Sequence, residues 1–466
     1  MTTARPNIVF ILADDMGYGD FSRLNGGLSR TPTLDTLMDE SVCFSQQYTA
    51  SPVCNPSRAA LLTGRYPHRT GSIDTLEWRG LERLALRETT LADVLKRAGY
   101  TTGLVGKWHL GAFDPAYDPR RRGFDETVCF RGGMHDYYKW RIEFDGEVKR
   151  GDGRYMTDVW TEEACSFLDR HANDTPFLLH VTYNAPHTPL QAPDEEIQPF
   201  LDTGRFNRGV STLYGMLHRM DTGVARILET LDRTGQRDNT IVFFTSDNGP
   251  QLGGKGDNCT DRFNCNLHGA KGTVYDGGIR VPMIVRWPAG LDAGREVTDM
   301  VHFTDWFPTI LSLAGVERPK DLLPIDGADV ASVVRGEKGK TCTRRFWQWN
   351  RYTPLGECNA AMRDGEWKLV RPRIEEAMAA PCCDPWLRIS MYEPEHFIEN
   401  GLLDEPEPPR EIPPPPPPEL YNIKDDPLEQ ENLAGAYPDR VRRMLTELET
   451  WFEEVEAERA AIPSSR

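Results

Sequence analysis

Everything else in the chain can be placed by reference to one stretch, Ser51-Pro-Val-Cys54-Asn-Pro56-Ser57-Arg58-Ala-Ala-Leu-Leu-Thr63-Gly64-Arg-Tyr-Pro67. Proline suits the first turn of a helix and glycine its end, so the spacing predicts a short helix over 56–63 with Cys54 just before its start. The start of a helix carries N–H groups without intrahelical partners and a partial positive charge. It is a place to bind an anion or to hold a charged nucleophile. A lone cysteine is most often a buried structural thiol. The residues that flank Cys54, and those that the neighbouring strands deliver, argue for chemistry instead.

Those strands read as continuous apolar runs, the mark of strands buried on both faces. Residues 7–13, Asn-Ile-Val-Phe-Ile-Leu-Ala, end in Asp14-Asp15-Met-Gly-Tyr-Gly-Asp20. Adjacent carboxylates at the end of a buried strand are costly without a cation between them, and hard oxygen donors suit calcium or magnesium. Residues 99–105 form a strand that delivers Gly106-Lys107-Trp108-His109-Leu-Gly111. Residues 176–182 lead to Tyr183-Asn-Ala-Pro-His187, residues 240–245 to Ser246-Asp247-Asn248, and a polar loop to Lys271 before a further strand over 281–287. Helices are expected between them, over 90–98, 155–168, 211–232 and 306–314. Strands alternating with helices imply a large, mostly parallel sheet flanked by helices, an α/β fold. Ligands of such sheets bind beyond the carboxyl ends of the strands, where Asp14, Asp15, Lys107, His109, His187, Asp247 and Asn248 all fall.

C-x-P-S-R-A-A-L-L-T-G-R around Cys54 resembles the signature of the type I sulfatases. A-D-D-x-G-Y-G-D after the first strand, G-K-W-H-L-G at 106–111 and Arg120-Arg-Arg-Gly-Phe-Asp125 are similar to other parts of that family's pattern. The resemblance covers almost the whole chain and implies an alkaline-phosphatase-like fold and a sulfate monoester hydrolase. It implies that a formylglycine-generating enzyme converts Cys54 to formylglycine. It further implies a metal site of Asp14, Asp15, Asp247 and Asn248, with the modified Cys54 as a further oxygen ligand. Such a donor set favours Ca2+, with Mg2+ second. By the same resemblance Arg58 holds the formylglycine hydroxyl, and Lys107, His109, His187 and Lys271 bind sulfate and move protons. The implied substrate is a small anionic sulfate ester, an aryl sulfate or a sulfated sugar. Two alternatives remain open at this stage. One is a phosphonate monoester or phosphodiester hydrolase of the same superfamily, whose members tend to carry histidine where this chain has Asn248. The other is a non-catalytic glycan-binding member, should Cys54 stay unmodified.

Bulk properties narrow the partners. With 466 residues, 39% hydrophobic and 27% charged, the chain has room for a large domain and a smaller one. A net charge of −17 argues against nucleic acid and against an anionic membrane surface, so an anionic substrate must be drawn by local positive charge. No apolar run approaches a membrane span. The first residues, Met-Thr-Thr-Ala-Arg-Pro, carry no secretory signal pattern, and the expected location is the cytoplasm. Ten cysteines in a chain of this length do not make a disulfide scaffold, although Cys259 and Cys265 bracket a loop and could pair under oxidising conditions.

Near residue 340 the character changes, dividing a catalytic domain, 1–338, from a C-terminal α+β subdomain, 339–466. Residues 345–349, 360–370 and 419–423 read as antiparallel strands with a hairpin turn at Asp364-Gly365. Val441, Met444, Leu448, Trp451 and Val455 recur at helical spacing and predict a covering helix. Between them lies an insertion, 371–418, without regular structure. Its first half, with Cys382, Cys383, Trp386, Leu387, Ile389, Met391 and Tyr392, is too apolar for a linker and is expected to pack near the pocket mouth. Its second half ends in six prolines, 413–418, expected as a stiff spacer. The stretch Arg131-Gly-Gly-Met-His-Asp-Tyr-Tyr-Lys-Trp-Arg141 mixes aromatic and cationic residues, which suits either a sugar face or an ordinary surface hairpin.

Overall fold

The computed structural model of the protein describes residues 5–172, 175–380, 384–402 and 407–463. Ten strands form the main sheet, in the order Arg295–Val297, Val42–Phe44, Met283–Arg286, Thr240–Ser246, Asn7–Ala13, Phe177–Thr182, Thr101–Lys107, Glu126–Phe130, Arg141–Phe144, Glu147–Arg150. The five strands from Thr240–Ser246 to Glu126–Phe130 are all parallel, and antiparallel pairings enter only outside that run. The side chains of Asn7–Ala13 alternate between two cores. Ile8, Phe10 and Leu12 pack with helices Cys54–Thr63, Leu91–Arg97 and Phe303–Leu313 on one face. Val9, Ile11 and Ala13 pack with Met156–Arg170, Asp194–Leu201 and Arg208–Arg233 on the other. That explains the unbroken apolar run: a strand with two buried faces has no solvent side to mark with polar residues.

Local signals set the helix ends. Thr90 and Asp93 form a capping box at Leu91–Arg97, and the Asn207 side chain accepts from the Val210 N–H at the start of Arg208–Arg233. Helix Cys54–Thr63 begins two residues earlier than the proline suggested, and Gly64 closes it in the left-handed conformation at φ 71°. Pro56 sits inside the first turn, where an absent N–H costs no intrahelical bond.

A second sheet is antiparallel, in the order Arg344–Gln348, Ala360–Asp364, Trp367–Arg371, Glu419–Asn422. Asp364 pairs with Trp367, so the turn is Gly365-Glu366 rather than Asp364-Gly365, and Gly365 supplies the positive φ of 62°. Ala360, Met362, Leu369 and Leu420 face helix Pro438–Ala460, which buries Met444, Leu448, Trp451 and Val455 against them. Burying each of those large side chains contributes about 1.5–3 kcal/mol. Ala361, Val370 and Tyr421 face Tyr48, Val274 and Ile279 of the larger body. At that junction the buried ammonium of Lys368 lies 2.7 Å from Asp276 and 2.6 Å from Glu429.

The insertion departs from expectation. Among its described residues it carries three short helices, Glu375–Met378, Asp384–Tyr392 and Glu395–Glu399, while 407–418, with the proline run, carry neither helix nor strand. Cys382 and Cys383 lie outside the described residues. The other eight cysteines are free thiols, so Cys259 and Cys265 are not joined. Among the described residues no helix is long and apolar enough to cross a membrane.

Candidate active site

Five segments converge at the carboxyl ends of the parallel strands. Asn7–Ala13 delivers Asp14 and Asp15, Thr101–Lys107 ends on Lys107 with His109 two residues on, and Thr240–Ser246 delivers Asp247 and Asn248. Helix Cys54–Thr63 starts at Cys54 and places Arg58 one turn later on the same side. Lys271 comes from the loop that leads to Asp276–Ile279. All are buried or nearly so. The close fit of the strands makes one glycine obligatory: at Gly106, φ 122°, a Cβ would stand 2.0 Å from the Thr182 carbonyl oxygen. Two non-glycine site residues also take left-handed backbone, Asp15 at φ 69° and His109 at φ 55°. Such conformations persist where the surroundings over-determine them, as at functional sites.

Charges interlock. Arg58 donates from Nε to Asp247 Oδ2 at 2.8 Å and from Nη1 to the Lys107 carbonyl at 3.2 Å, and its Nη2 lies 3.7 Å from Asp14. Lys107 Nζ donates to Asp14 Oδ2 at 2.6 Å. Lys271 Nζ lies 2.8 Å from Asp15 Oδ1, and Asn248 Nδ2 donates to the same oxygen at 2.7 Å. His187 Nδ1 lies 2.7 Å from the Thr188 carbonyl oxygen, and its Nε2 stands 3.8 Å from Asp15 Oδ2. The loop carrying His187 is held by the Tyr137 hydroxyl, which donates to the Asn184 and His187 carbonyls.

Protonation follows from burial and these neighbours. Burial works against the charged form of Asp15, but Lys271 and His187 outweigh it and hold the carboxyl well below its ordinary range. Asp247 goes the other way, pushed up to about 6 by burial and by Asp14. For Lys271, burial is outweighed by Asp15, which keeps the ammonium charged. Burial and Lys271 push His187 down to about 3, and burial with Lys107 and Arg58 puts His109 well below the ordinary histidine value. Both rings are neutral at pH 7, and neither nitrogen of His109 has a hydrogen-bond partner. Burial raises the Cys54 thiol against the pull of Lys107 and Lys271. As a plain thiol it is therefore protonated and a poor nucleophile.

Asp14, Cys54 and Asp247 offer ligand atoms within 4.8 Å of one another, and so do Asp14, Asp15 and His187. Asp14 Oδ1 and Asn248 Oδ1 are buried acceptors without a partner among the described residues. Orphaned buried oxygens are expensive, and a hard divalent cation between them would satisfy both. The donor set fits such an ion.

Around this cluster opens a cleft of about 430 Å³, lined by Cys54, His109, His187 and Lys271 and also by residues outside the catalytic and metal set expected from the sequence. These include Glu77, Trp78, Gly133, Met134, Trp349, Arg351 and Leu387. The aromatic residues Tyr137 and Trp140 of the 131–141 stretch are buried in the core, so they present no sugar face; Gly133 and Met134 reach the cleft instead. Of the insertion, Leu387 reaches the cleft directly.

The sulfatase family model matches residues 6–316, and the model for the C-terminal part of N-sulphoglucosamine sulphohydrolase matches 268–377. Arylsulfatase J of Mus musculus is 30% identical over 96% of this chain and 75% of its own. N-acetylgalactosamine-6-sulfatase of Mus musculus is 37% identical over 71% of this chain and 67% of its own. Among solved structures, Ps i-CgsB in complex with k-i-k-neocarrahexaose superposes with a TM-score of 0.79 at 30% identity, covering 96% of this chain and 92% of that one. The chain belongs to the sulfatase family, with the alkaline-phosphatase-like fold, and is a sulfuric ester hydrolase.

Proposed function

We propose that the protein releases sulfate from a sulfated carbohydrate, using formylglycine at position 54 and a divalent cation, calcium before magnesium. The observation that carries this reading is the convergence on Cys54 of Arg58, Lys107, Lys271 and three carboxylates, with two buried oxygens left for an ion. Asp14, Asp15, Asp247 and Asn248 would hold the ion, which would draw charge from the sulfuryl oxygens. Formylglycine would supply a hydrated aldehyde, one hydroxyl to attack sulfur and a second whose deprotonation returns the aldehyde and expels sulfate. The Cys54 sulfur stands where those oxygens would be.

The chain's own residues do the rest. Arg58 and Lys107 sit on the carboxylates beside residue 54 and keep a positive field for the sulfuryl group. Asp247, with its raised pKa, takes or orients the proton of the attacking hydroxyl. His187 is neutral in the free protein, because burial and then the facing Lys271 disfavour its charged form. An anionic ester seated between the two offsets that charge, so His187 gains the proton it gives to the leaving oxygen. His109 is neutral, with both ring nitrogens unpartnered, and suits a base for the second hydroxyl.

The test joins peptide mass spectrometry of position 54 to turnover of defined sulfated sugars, an aryl sulfate and a phosphate diester. Formylglycine at position 54 and highest kcat/KM on a sulfated sugar are expected. A wholly unmodified thiol in fully active protein would sink the nucleophile assignment. Faster turnover of the phosphate diester than of any sulfate ester would overturn the substrate class.

A further inference from the structure

Glu77 is the one carboxylate among the described residues that line the cleft, and the mechanism above does not use it. It sits in the short turn Glu77–Arg79 with its side chain almost fully enclosed. Oε1 lies 3.9 Å from His109 Nε2. The Gly133 N–H donates to the same oxygen, and Ser390 of the inserted segment, whose hydroxyl donates to the Leu387 carbonyl at 2.9 Å, borders the carboxylate. The seat is built for this group. A Cβ on Gly133 would stand 2.9 Å from Oε1 and 2.7 Å from His109 Nε2, so only glycine lets the three meet.

The surroundings suit a sugar. Trp78 and Trp349 line the same cleft, and their buried indole N–H groups have no partner among the described residues. Leu387 of the insertion lies on the cleft wall with them. Of the cations in the lining, Lys271 stands at the ester end, paired with Asp15, and Arg351 lies 2.8 Å from Asp74. Since only His109 separates Glu77 from the reacting cluster, the part of the substrate it meets is next to the ester, not further along a chain.

We propose that Glu77, held by the Gly133 N–H, is a specificity-determining residue: it accepts a hydrogen bond from a free hydroxyl beside the sulfated carbon and rejects a second sulfate at that position. The proposal rests on the sulfated-carbohydrate reading above. Burial raises Glu77 to about 7 against the pull of the Gly133 N–H, so above that pH it is a carboxylate, which accepts from a hydroxyl and repels an anion. A hydrogen bond to a charged group is worth a factor of about ten to a hundred in kcat/KM, and an unpaired buried acceptor facing a second anion costs at least as much.

The experiment measures kcat/KM on four esters: a monosulfated sugar with a free neighbouring hydroxyl, its deoxy analogue, the sugar sulfated at both positions, and an aryl sulfate. The native enzyme is expected to lose about tenfold on the deoxy analogue and about a hundredfold on the disulfated sugar. Glu77→Gln should raise turnover of the disulfated sugar and lower that of the monosulfated one, with the sugar loss at least tenfold larger than any aryl sulfate loss. Equal turnover of mono- and disulfated sugars by the native enzyme, which needs no variant, would overturn the proposal. Parallel losses on aryl and sugar esters in Glu77→Gln of unchanged melting temperature would also overturn it, placing Glu77 in the service of His109. Turnover of the aryl sulfate but of no sugar would overturn the carbohydrate reading itself, and is recognised because all three sugars fail together.

Discussion

The reacting cluster and the outer wall of the cleft are built on different principles. The cluster stands on the ends of parallel strands and the first turn of one helix, and its members hold one another by ion pairs of 2.6–2.8 Å. The wall stands on loops and an insertion. Phe397 stacks on Phe113 with centroids 4.5 Å apart, Trp386 and Ile389 pack on Leu76 and Trp78, and Met391 accepts or shares a contact from His135 Nε2 at 2.9 Å. Arg141 pairs with Glu395. Loops on a rigid frame can change without moving the frame, which suits selection on the wall and chemistry in the cluster. Substitutions in the cluster should therefore cost all substrates alike, and substitutions in the wall should sort them.

The largest effect belongs to Cys54→Ala. It removes the nucleophile, and turnover of every ester should fall on the order of 10⁴-fold or more. The melting temperature should hardly move, since alanine tolerates the first position of the helix and the sulfur is small. A residual rate within tenfold of the native enzyme would break the assignment. Next in size is removal of the ion. Chelation, or Asp14→Ala, should lower turnover of aryl and sugar esters together on the order of 10²–10³-fold, and calcium or magnesium should restore the chelated enzyme. Full activity in exhaustively stripped protein would remove the metal from the chemistry.

His187 occupies the border between the two regions, and its effect should depend on the substrate. A sugar alkoxide needs a proton as the S–O bond breaks, whereas a nitrophenolate hardly does. His187→Ala should lose about 10²–10⁴-fold on sugar esters, the range for a general acid, and under tenfold on a nitrophenyl sulfate. Equal losses would take the acid role from His187.

The same contrast explains what the sequence disclosed. The carboxylate part of the cluster and Lys107 were legible because they directly follow or close continuous apolar runs, so strand ends and site residues are neighbours in the chain as in space. Asp14, Lys107 and Asp247 needed no tertiary information beyond the rule that such ends converge. Glu77 gave no such signal. Its turn is three residues long, and the groups that seat it, Gly133 and Ser390, come from distant parts of the chain. The helices of the insertion were hidden for a related reason. Asp384–Tyr392 and Glu395–Glu399 are separated by Pro394 and are too short to show a period, and packing against Phe113 and Trp78 supplies what local propensity lacks. The antiparallel strands Arg141–Phe144 and Glu147–Arg150 at one end of the sheet escaped because four residues cannot display alternation convincingly.

The smallest effect expected is also the one that separates selection from support within the insertion. Removing the whole segment would strip the cover from Phe113 and Trp78 and mix the two roles, so single side chains are more informative. Leu387 lines the cleft, while Phe397 is fully buried against Phe113 and does not line it. Leu387→Ala should leave the melting temperature and aryl sulfate turnover within about twofold of native, because a half-exposed leucine contributes little to a core. It should change kcat/KM among sulfated sugars by about three- to tenfold, the worth of a few methylene contacts in a pocket. Phe397→Ala should do the reverse first: it opens a cavity, costs about 3–5 kcal/mol and lowers the melting temperature, with sugar selectivity drifting only as the wall loosens. If Leu387→Ala leaves sugar preference untouched while Phe397→Ala lowers stability, the insertion is a cover for the apolar patch around Phe113, and selection rests with the loops that carry Glu77, Gly133 and Trp349.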